Sequence, residues 1–269
     1  MNERLDQFYT KPEIAKKCIE TVLERFSDLN KNSILFVEPS AGSGAFYYPL
    51  VKQGCAVRAI DIDPKAKEIQ KGDFFKSSKL FNGDYEYRIV IGNPPFGKNS
   101  SNAVKFFNFA SKYADEIAFI VPKTFRKLSV QKRLHKHFHL ELDENVETDS
   151  FIFEDRPYDV PCTWQIWKKL DYEREIPSNT SVDHLLTYTD QHEADFAIRR
   201  VGFYAGRVIK NGINELSPTT HYFVRENRKG VMDIISDTEW TSLTEQTAGS
   251  RSLAKSEISK VLEQEYNGW

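Results

Sequence analysis

The chain has 269 residues, is 40% hydrophobic and 28% charged, and carries a formal net charge of −2. That length and apolar content permit one large domain, or a core with an appendage. The longest apolar runs, such as AFIV at 118–121, are far too short to span a bilayer. The N-terminus is charged from residue 3 and does not resemble a signal peptide. Cys18, Cys55 and Cys162 stand apart, with no CxxC pair and no His spacing of a zinc site. The expectation is a cytoplasmic protein in a reducing compartment, with no membrane segment and no metal.

In chain order, Thr10-Lys11-Pro12-Glu13 has the form of a helix start, with Thr10 as a capping candidate. SILFVEP (33–39) is a buried strand that runs into a Gly-rich turn, and PLVKQG (49–54) closes the following helix with Gly54 as its stop. CAVRAIDID (55–63) is a second strand, and PKAKEIQKG (64–72) a helix with Pro at its first position. YRIVIGNPP (87–95) is a third strand, NAVKFFNFASKYA (102–114) a helix, and EIAFIVP (116–122) a fourth strand. FHLELD (138–143) and VPCTWQIWKKL (160–170) read as a closing strand pair. This alternation predicts an α/β fold with a doubly wound, mostly parallel sheet. DYEREIPSNTSVD (171–183) has no apolar period and reads as a linker. Beyond it lie β-rich, basic segments, FAIRRVGFYAGRVI (196–209) and THYFVRE (220–226), then a polar tail with a short helix near 254–265. The expected division is a core at 1–172 and a smaller β-rich region at 173–269.

Charge is unevenly spread. Residues 123–139 are basic without an acid, 141–159 are acid-rich, and from 199 to 229 basic residues return. Each run alone reads equally as a solvated face. Together, in a net-acidic chain, they point to a local surface for an anionic partner.

Two stretches carry candidate chemistry. In FVEPSAGSGAF (36–46), Gly42 and Gly44 follow a strand, so backbone approaches a ligand closely and the next helix offers unpaired N–H groups. Asp61 ends the second strand, where a doubly wound sheet places an acid for ribose hydroxyls. Asp73, in Gly72-Asp73-Phe74-Phe75, is a candidate acceptor for an adenine amino group with a ring beside it, or else a helix cap beside a core Phe74. Neither GxGxxG nor GxxxxGK[ST] is present, which favours a small adenosyl cofactor without a polyphosphate. The second stretch is Asn93-Pro94-Pro95-Phe96, a stiff corner closing a strand. Proline fixes φ and removes donors, so acceptors there are held before a substrate arrives.

With QFYTKP (7–12), EPSAGSGAF, DID, GDFF and NPPF in that order, residues 7–170 resemble the N6-adenine methyltransferases that use S-adenosylmethionine, in their gamma-class arrangement. The resemblance implies a seven-stranded, Rossmann-like sheet, and that Tyr9, Thr10 and Pro12 touch the cofactor's methionine end. Glu38 would lie near its amino group, with Pro39, Ala41, Gly42 and Gly44 forming the turn. Asp61 with Ile62, and Asp73 with Phe74, would hold the adenosyl part. Asn93 and Pro94 would accept the two hydrogens of the target amino group, Pro95 would stiffen the corner, and Phe96 would stack on an unstacked base. DNA is the favoured polymer, as in restriction-modification or phage self-protection, with Lys98, Lys123, Arg126, Lys127, Arg199, Arg200 and Arg207 as candidate nucleic-acid contacts. Phe at 96, where many DNA-modifying members carry Tyr, keeps RNA open. Less favoured are methylation of a protein glutamine, whose helical N-terminal domain is missing, and a non-catalytic nucleic-acid-binding relative.

Overall fold

In the computed structural model the described residues are 9–28, 30–153, 156–176, 182–247 and 249–266. The chain divides into two compact units, Met1–Glu175 and Ile176–Trp269.

The first unit opens with the two-residue strand β1 (Tyr9–Thr10) and helix α1 (Pro12–Glu24), then strand β2 (Ile34–Glu38), helix α2 (Tyr47–Lys52) and strands β3 (Ala56–Asp61) and β4 (Gln70–Lys71). It continues with β5 (Tyr87–Gly92), α3 (Ser101–Ala110), β6 (Glu116–Pro122), α4 (Leu128–Gln131), β7 (Phe138–Asn145), β8 (Phe151–Phe153), β9 (Arg156–Tyr158) and β10 (Cys162–Lys169). The main sheet has seven strands in the order β4-β3-β2-β5-β6-β10-β7. Its members from β4 to β6 run parallel, and β10 lies antiparallel between β6 and β7. β2 and β6 are buried along their whole length, which is what near-continuous apolar runs in a parallel sheet require. Ile14, Cys18, Ile19 and Val22 of α1 pack on one face with Phe36, Ile89 and Ile120. Val104 and Phe107 of α3 cover the other face with Val37, Val90 and Ile117. The strand order turns back at β2, with β3 on one side and β5 on the other, so a crevice opens at their carboxyl ends. A second, three-stranded antiparallel sheet, β1-β8-β9, places Tyr9 opposite Ile152 and Thr10 opposite Phe151.

One expectation for this unit needs correction. Residues 64–72 form no helix: they make turns and then the short strand β4, pairing Ile60 with Gln70 and Asp61 with Lys71. A nine-residue segment is marginal as a helix by itself, and tertiary bonds take its backbone instead. Lys65 N donates to Gly42 O at 2.9 Å and Gly72 N to Asp61 O at 2.8 Å. The division between the units falls within the expected linker, 171–183, whose start is anchored on the first unit. Arg174 donates to the carbonyls of Gln131, Leu134, His135 and Phe138, and lies 5.4 Å over the Trp167 ring. Residues 177–181 of that stretch lie outside the described residues.

The second unit is a four-stranded antiparallel sheet made of β11 (Leu186–Tyr188), β12 (Phe196–Arg199), β13 (Val208–Ile209) and β14 (His221–Glu226), in the order β11-β14-β12-β13. Helices α5 (Val231–Asp237), α6 (Thr241–Thr244) and α7 (Lys255–Tyr266) complete it, with Phe196, Ile198, Val224, Ile235, Trp240 and Leu262 in its core. Among the described residues no helix is long and apolar enough to cross a membrane.

Candidate functional site

The crevice at the ends of β2, β3 and β5 holds a cleft of about 270 Å³. Its floor is the turn after β2. Gly42 and Gly44 have φ of 50° and 85°, and a Cβ at Gly42 would stand 2.8 Å from the Tyr9 ring. Asp61 fastens this turn: one carboxylate oxygen accepts from Gly42 N at 2.7 Å and the other from Asp63 N at 2.8 Å. Each oxygen keeps a further lone pair for a ligand hydroxyl.

Glu38 stands behind the turn at 2% exposure. The backbone amides of Phe46 and Tyr47 at the start of α2 lie near enough to its carboxyl to lower its pKa. Burial raises the Glu38 pKa well above the carboxylate range, more than those two amides lower it, and the Asp61 charge adds to the rise. Its Oε2 is buried with no hydrogen-bond partner. Burial likewise raises the Tyr9 pKa.

The apolar wall comes from Ile62, Phe74, Phe75 and Phe106. Phe74 packs on Phe106 with ring centroids 5.5 Å apart and an interplanar angle of 10°. Ile62 and Phe75 remain 58% and 41% exposed, so the rim keeps apolar surface available. Asp73 lines the cleft while its Oδ1 accepts from Phe75 N at 2.9 Å, so it is also the cap of a short 3₁₀ turn.

The Asn93 corner also borders the cleft. Asn93 Nδ2 donates to Thr10 Oγ1 at 3.1 Å, and Ser40 Oγ donates to the Asn93 carbonyl at 3.2 Å. Beyond the corner, Asn102 N and Ala103 N donate to Phe96 O, which ties the corner to α3. Asn99 and Ser100 hold φ of 52° and 58°, a conformation unusual for residues with a Cβ and concentrated at functional sites.

Of the residues singled out from sequence, Tyr9, Thr10, Glu38, Pro39, Ala41, Gly42, Asp61, Ile62, Asp73, Phe74, Asn93 and Pro95 line the cleft together. Pro12, Gly44, Pro94 and Phe96 do not. Pro12 is exposed at the first position of α1, and Lys11 rather than Thr10 is that helix's cap residue. Gly44 turns toward Tyr48 and serves the turn alone. Phe96 is 7% exposed within the cluster that α1 covers, so its ring is not an open platform. Ser40, Asn102 and Phe106 line the cleft without having been expected. Asn102 and Phe106 are four apart on one helix, a spacing that puts both on one face.

The basic candidates are placed unevenly. Lys98 is exposed directly after the corner, and Lys123 is half-buried at the end of β6. Arg126 is committed internally: it pairs with Asp143 at 2.8 Å and donates to Asn145 Oδ1 and Thr163 Oγ1, holding the β7–β10 edge. Lys127 is buried at 8% exposure. Neither presents a charge for phosphate. In the second unit Arg199 donates to Val201 O, Arg200 lies 5.0 Å over the Tyr222 ring, and Arg207 is exposed beside Tyr204. Among the described residues no three of His, Cys, Asp and Glu gather as a metal site.

No family model matches the chain, and no curated protein matches it. Solved structures do. A candidate RNA methyltransferase from Pyrococcus horikoshii is 15% identical, over 57% of this chain and 83% of that one, with a TM-score of 0.41. Magnesium protoporphyrin IX methyltransferase from Synechocystis, with bound S-adenosylmethionine, is 13% identical over 58% and 79%, with a TM-score of 0.39. A Thermoplasma acidophilum protein is 20% identical over 58% and 90%, with a TM-score of 0.39.

Proposed function

We propose that the cleft binds S-adenosylmethionine and that the Asn93 corner directs methyl transfer to the exocyclic N6 amino group of adenine in DNA. One observation carries this reading: the Asn93 amide, with its nitrogen donated to Thr10, lines the same cleft as Glu38, Asp61 and Asp73. The residues suit the cofactor. Glu38 Oε2, buried without a partner, is an acceptor for an ammonium group. Asp61 keeps lone pairs for ribose hydroxyls, Asp73 has a second oxygen for an adenine amino group, and Ile62 and Phe75 offer apolar faces to the ring. When bound, the cofactor supplies a methyl group on a positively charged sulfur.

The chain's part is positioning. An adenine amino nitrogen is a poor nucleophile because its lone pair is delocalised into the ring. With Nδ2 committed to Thr10, the carbonyl edge of Asn93 is the edge that accepts one amino hydrogen, and the Pro94 carbonyl accepts the other. Two fixed acceptors draw the nitrogen toward tetrahedral geometry and aim its lone pair. The proton displaced from nitrogen passes to solvent, so no strong base is required.

The order of motifs, ahead of a C-terminal unit bearing Arg199, Arg200 and Arg207, supports DNA. A second reading, RNA, rests on Phe rather than Tyr at position 96. The test is incubation with labelled cofactor and duplex DNA, separately with RNA, followed by digestion to nucleosides. Labelled N6-methyladenine from DNA is the expected product; label only in RNA selects the second reading. Asn93→Ala should abolish transfer while S-adenosylhomocysteine still binds. Full activity in that variant removes the mechanism.

A further inference from the structure

The second unit has a cavity of its own, of about 470 Å³. Its walls include Tyr188 of β11, Arg200 just past β12, His221 and Tyr222 of β14, and Lys255 at the start of α7. Three of these carry a buried polar atom with no hydrogen-bond partner: Tyr188 OH, Arg200 Nε and His221 Nε2. No other described side chain of this unit does. His221 is 5% exposed. Buried polar groups are ordinarily satisfied, and three exceptions around one cavity are not scattered packing faults.

The cavity is also cationic. Lys255 Nζ lies 3.9 Å from the Tyr188 ring centroid and 5.5 Å from that of Tyr222, and the Arg200 guanidinium lies 5.0 Å from Tyr222. Ring faces hold cations in place without cancelling their charge. Among the described residues no ion pair joins Arg200 or Lys255 to a carboxylate, and Asp190 is the one acid on the cavity wall. Burial keeps the Tyr188 phenol protonated and opposes a charge on His221. His221 Nδ1 faces the Ser217 carbonyl at 3.2 Å. Nδ1 also lies 2.9 Å from Thr220 Oγ1. With the Thr220 hydroxyl donating to the same Ser217 carbonyl at 3.2 Å, both neighbours accept from Nδ1, which then carries the proton while Nε2 presents a lone pair.

We propose that this cavity binds a phosphate group, with Arg200 and Lys255 supplying charge, Arg200 Nε and the Tyr188 hydroxyl donating to its oxygens, and His221 Nε2 accepting its hydroxyl. An apolar ligand would leave all three atoms orphaned. A carboxylate satisfies the donors but brings no hydroxyl for His221. A phosphate monoester or inorganic phosphate in its singly protonated form satisfies all three; a phosphodiester satisfies the two donors. The proposal is independent of the reading of the cleft in the first unit.

The test is calorimetric titration of the full chain at fixed ionic strength with inorganic phosphate, adenosine monophosphate, adenosine, and a dinucleotide whose one phosphate is internal. Phosphate and the monophosphate should bind saturably, and adenosine should not bind at this site. Lys255 is exposed, so Lys255→Gln leaves the fold intact and should weaken binding by about tenfold or more, as loss of a charge-assisted contact does. Arg200→Gln should do the same, with its melting temperature as a check on folding. Monophosphate bound tighter than the dinucleotide assigns the site to a free or terminal phosphate. Equal binding assigns it to a nucleic-acid backbone, and either supports the proposal. No saturable binding of any phosphate probe at millimolar concentration, or undiminished affinity in Lys255→Gln, overturns it.

Discussion

Replacing Glu38 by Gln separates the cost of a buried charge from its use. At position 38 the carboxyl is 2% exposed, the Phe46 and Tyr47 amides lie near it, and Oε2 has no partner. Gln keeps the shape and an accepting oxygen for those amides. Its NH₂ sits where Oε2 sat and is equally unpartnered, so the ~1–3 kcal/mol cost of an orphaned atom cancels between the two proteins. What remains is the charge. Because burial raises the pKa in the folded state, that state holds the proton more tightly than the unfolded chain. Glu38 is therefore best tolerated below the unfolded carboxylate pKa, and its contribution is lost as pH rises through the folded value. Urea unfolding should find the two proteins equally stable near pH 4. At pH 8 Glu38→Gln should be the more stable by at least ~1 kcal/mol, the low end for a buried charge without a counter-ion. Affinity should move the other way. Loss of a carboxylate facing an ammonium costs about 1.5–3 kcal/mol, or on the order of 10- to 100-fold in the calorimetric Kd for S-adenosylhomocysteine. A variant less stable at pH 8 would refute the burial argument. One that binds S-adenosylhomocysteine as tightly as the natural chain would refute the placement of the ammonium.

Thr10→Val keeps volume and β-branching but removes the acceptor of Asn93 Nδ2; a hydrogen bond worth about 0.5–1.5 kcal/mol predicts a roughly 2- to 13-fold fall in kcat with cofactor Kd unchanged. Thr10→Ser should restore kcat, and an undisturbed kcat in the valine variant would show that Asn93 needs no such anchor. Arg126→Ala should lower unfolding stability by about 1–2 kcal/mol, a figure reduced for its partial exposure, and leave the salt dependence of nucleic-acid binding unmoved. A changed salt slope with unchanged stability would return Arg126 to the phosphate surface. Burial raises the Asp143 pKa, but its bonds from Arg126 and Thr163 outweigh that and lower it overall, so this ion pair's contribution is present above the unfolded carboxylate pKa and lost as pH falls through the lower folded value. Phe96→Leu should cost under ~1.5 kcal/mol in stability, yet lower transfer about tenfold or more if the ring stacks on the target base; equal activity would leave Phe96 a core residue only.

What could be read from the sequence divides along a physical line. β2 and β6 were legible because a strand buried on both faces must be apolar at nearly every position, and their sequences are. The glycine turn was legible because a positive φ is set by its own backbone. Residues 64–72 misled because Pro64 signals a helix start locally, while the contact that decides the matter, Lys65 N to Gly42 O, is made across the crevice. Arg126 misled for a related reason: its partners Asp143 and Thr163 come from the adjacent strands β7 and β10, and only sheet register brings them together. The unit-two cavity has no motif at all, since Tyr188, Arg200, His221 and Lys255 meet only after the sheet is paired. The Asn93–Thr10 bond is the sharpest case. Thr10 is held by a two-residue strand whose register on β8 is fixed by Lys11 N donating to Ser150 O and by the Lys11–Asp149 ion pair at 3.1 Å. A slip of one residue would turn Thr10 to the other face of that ribbon and leave the Asn93 nitrogen without this acceptor. The role proposed for the Asn93 amide therefore depends on the pairing of a segment 83 residues upstream, which the motif itself does not encode.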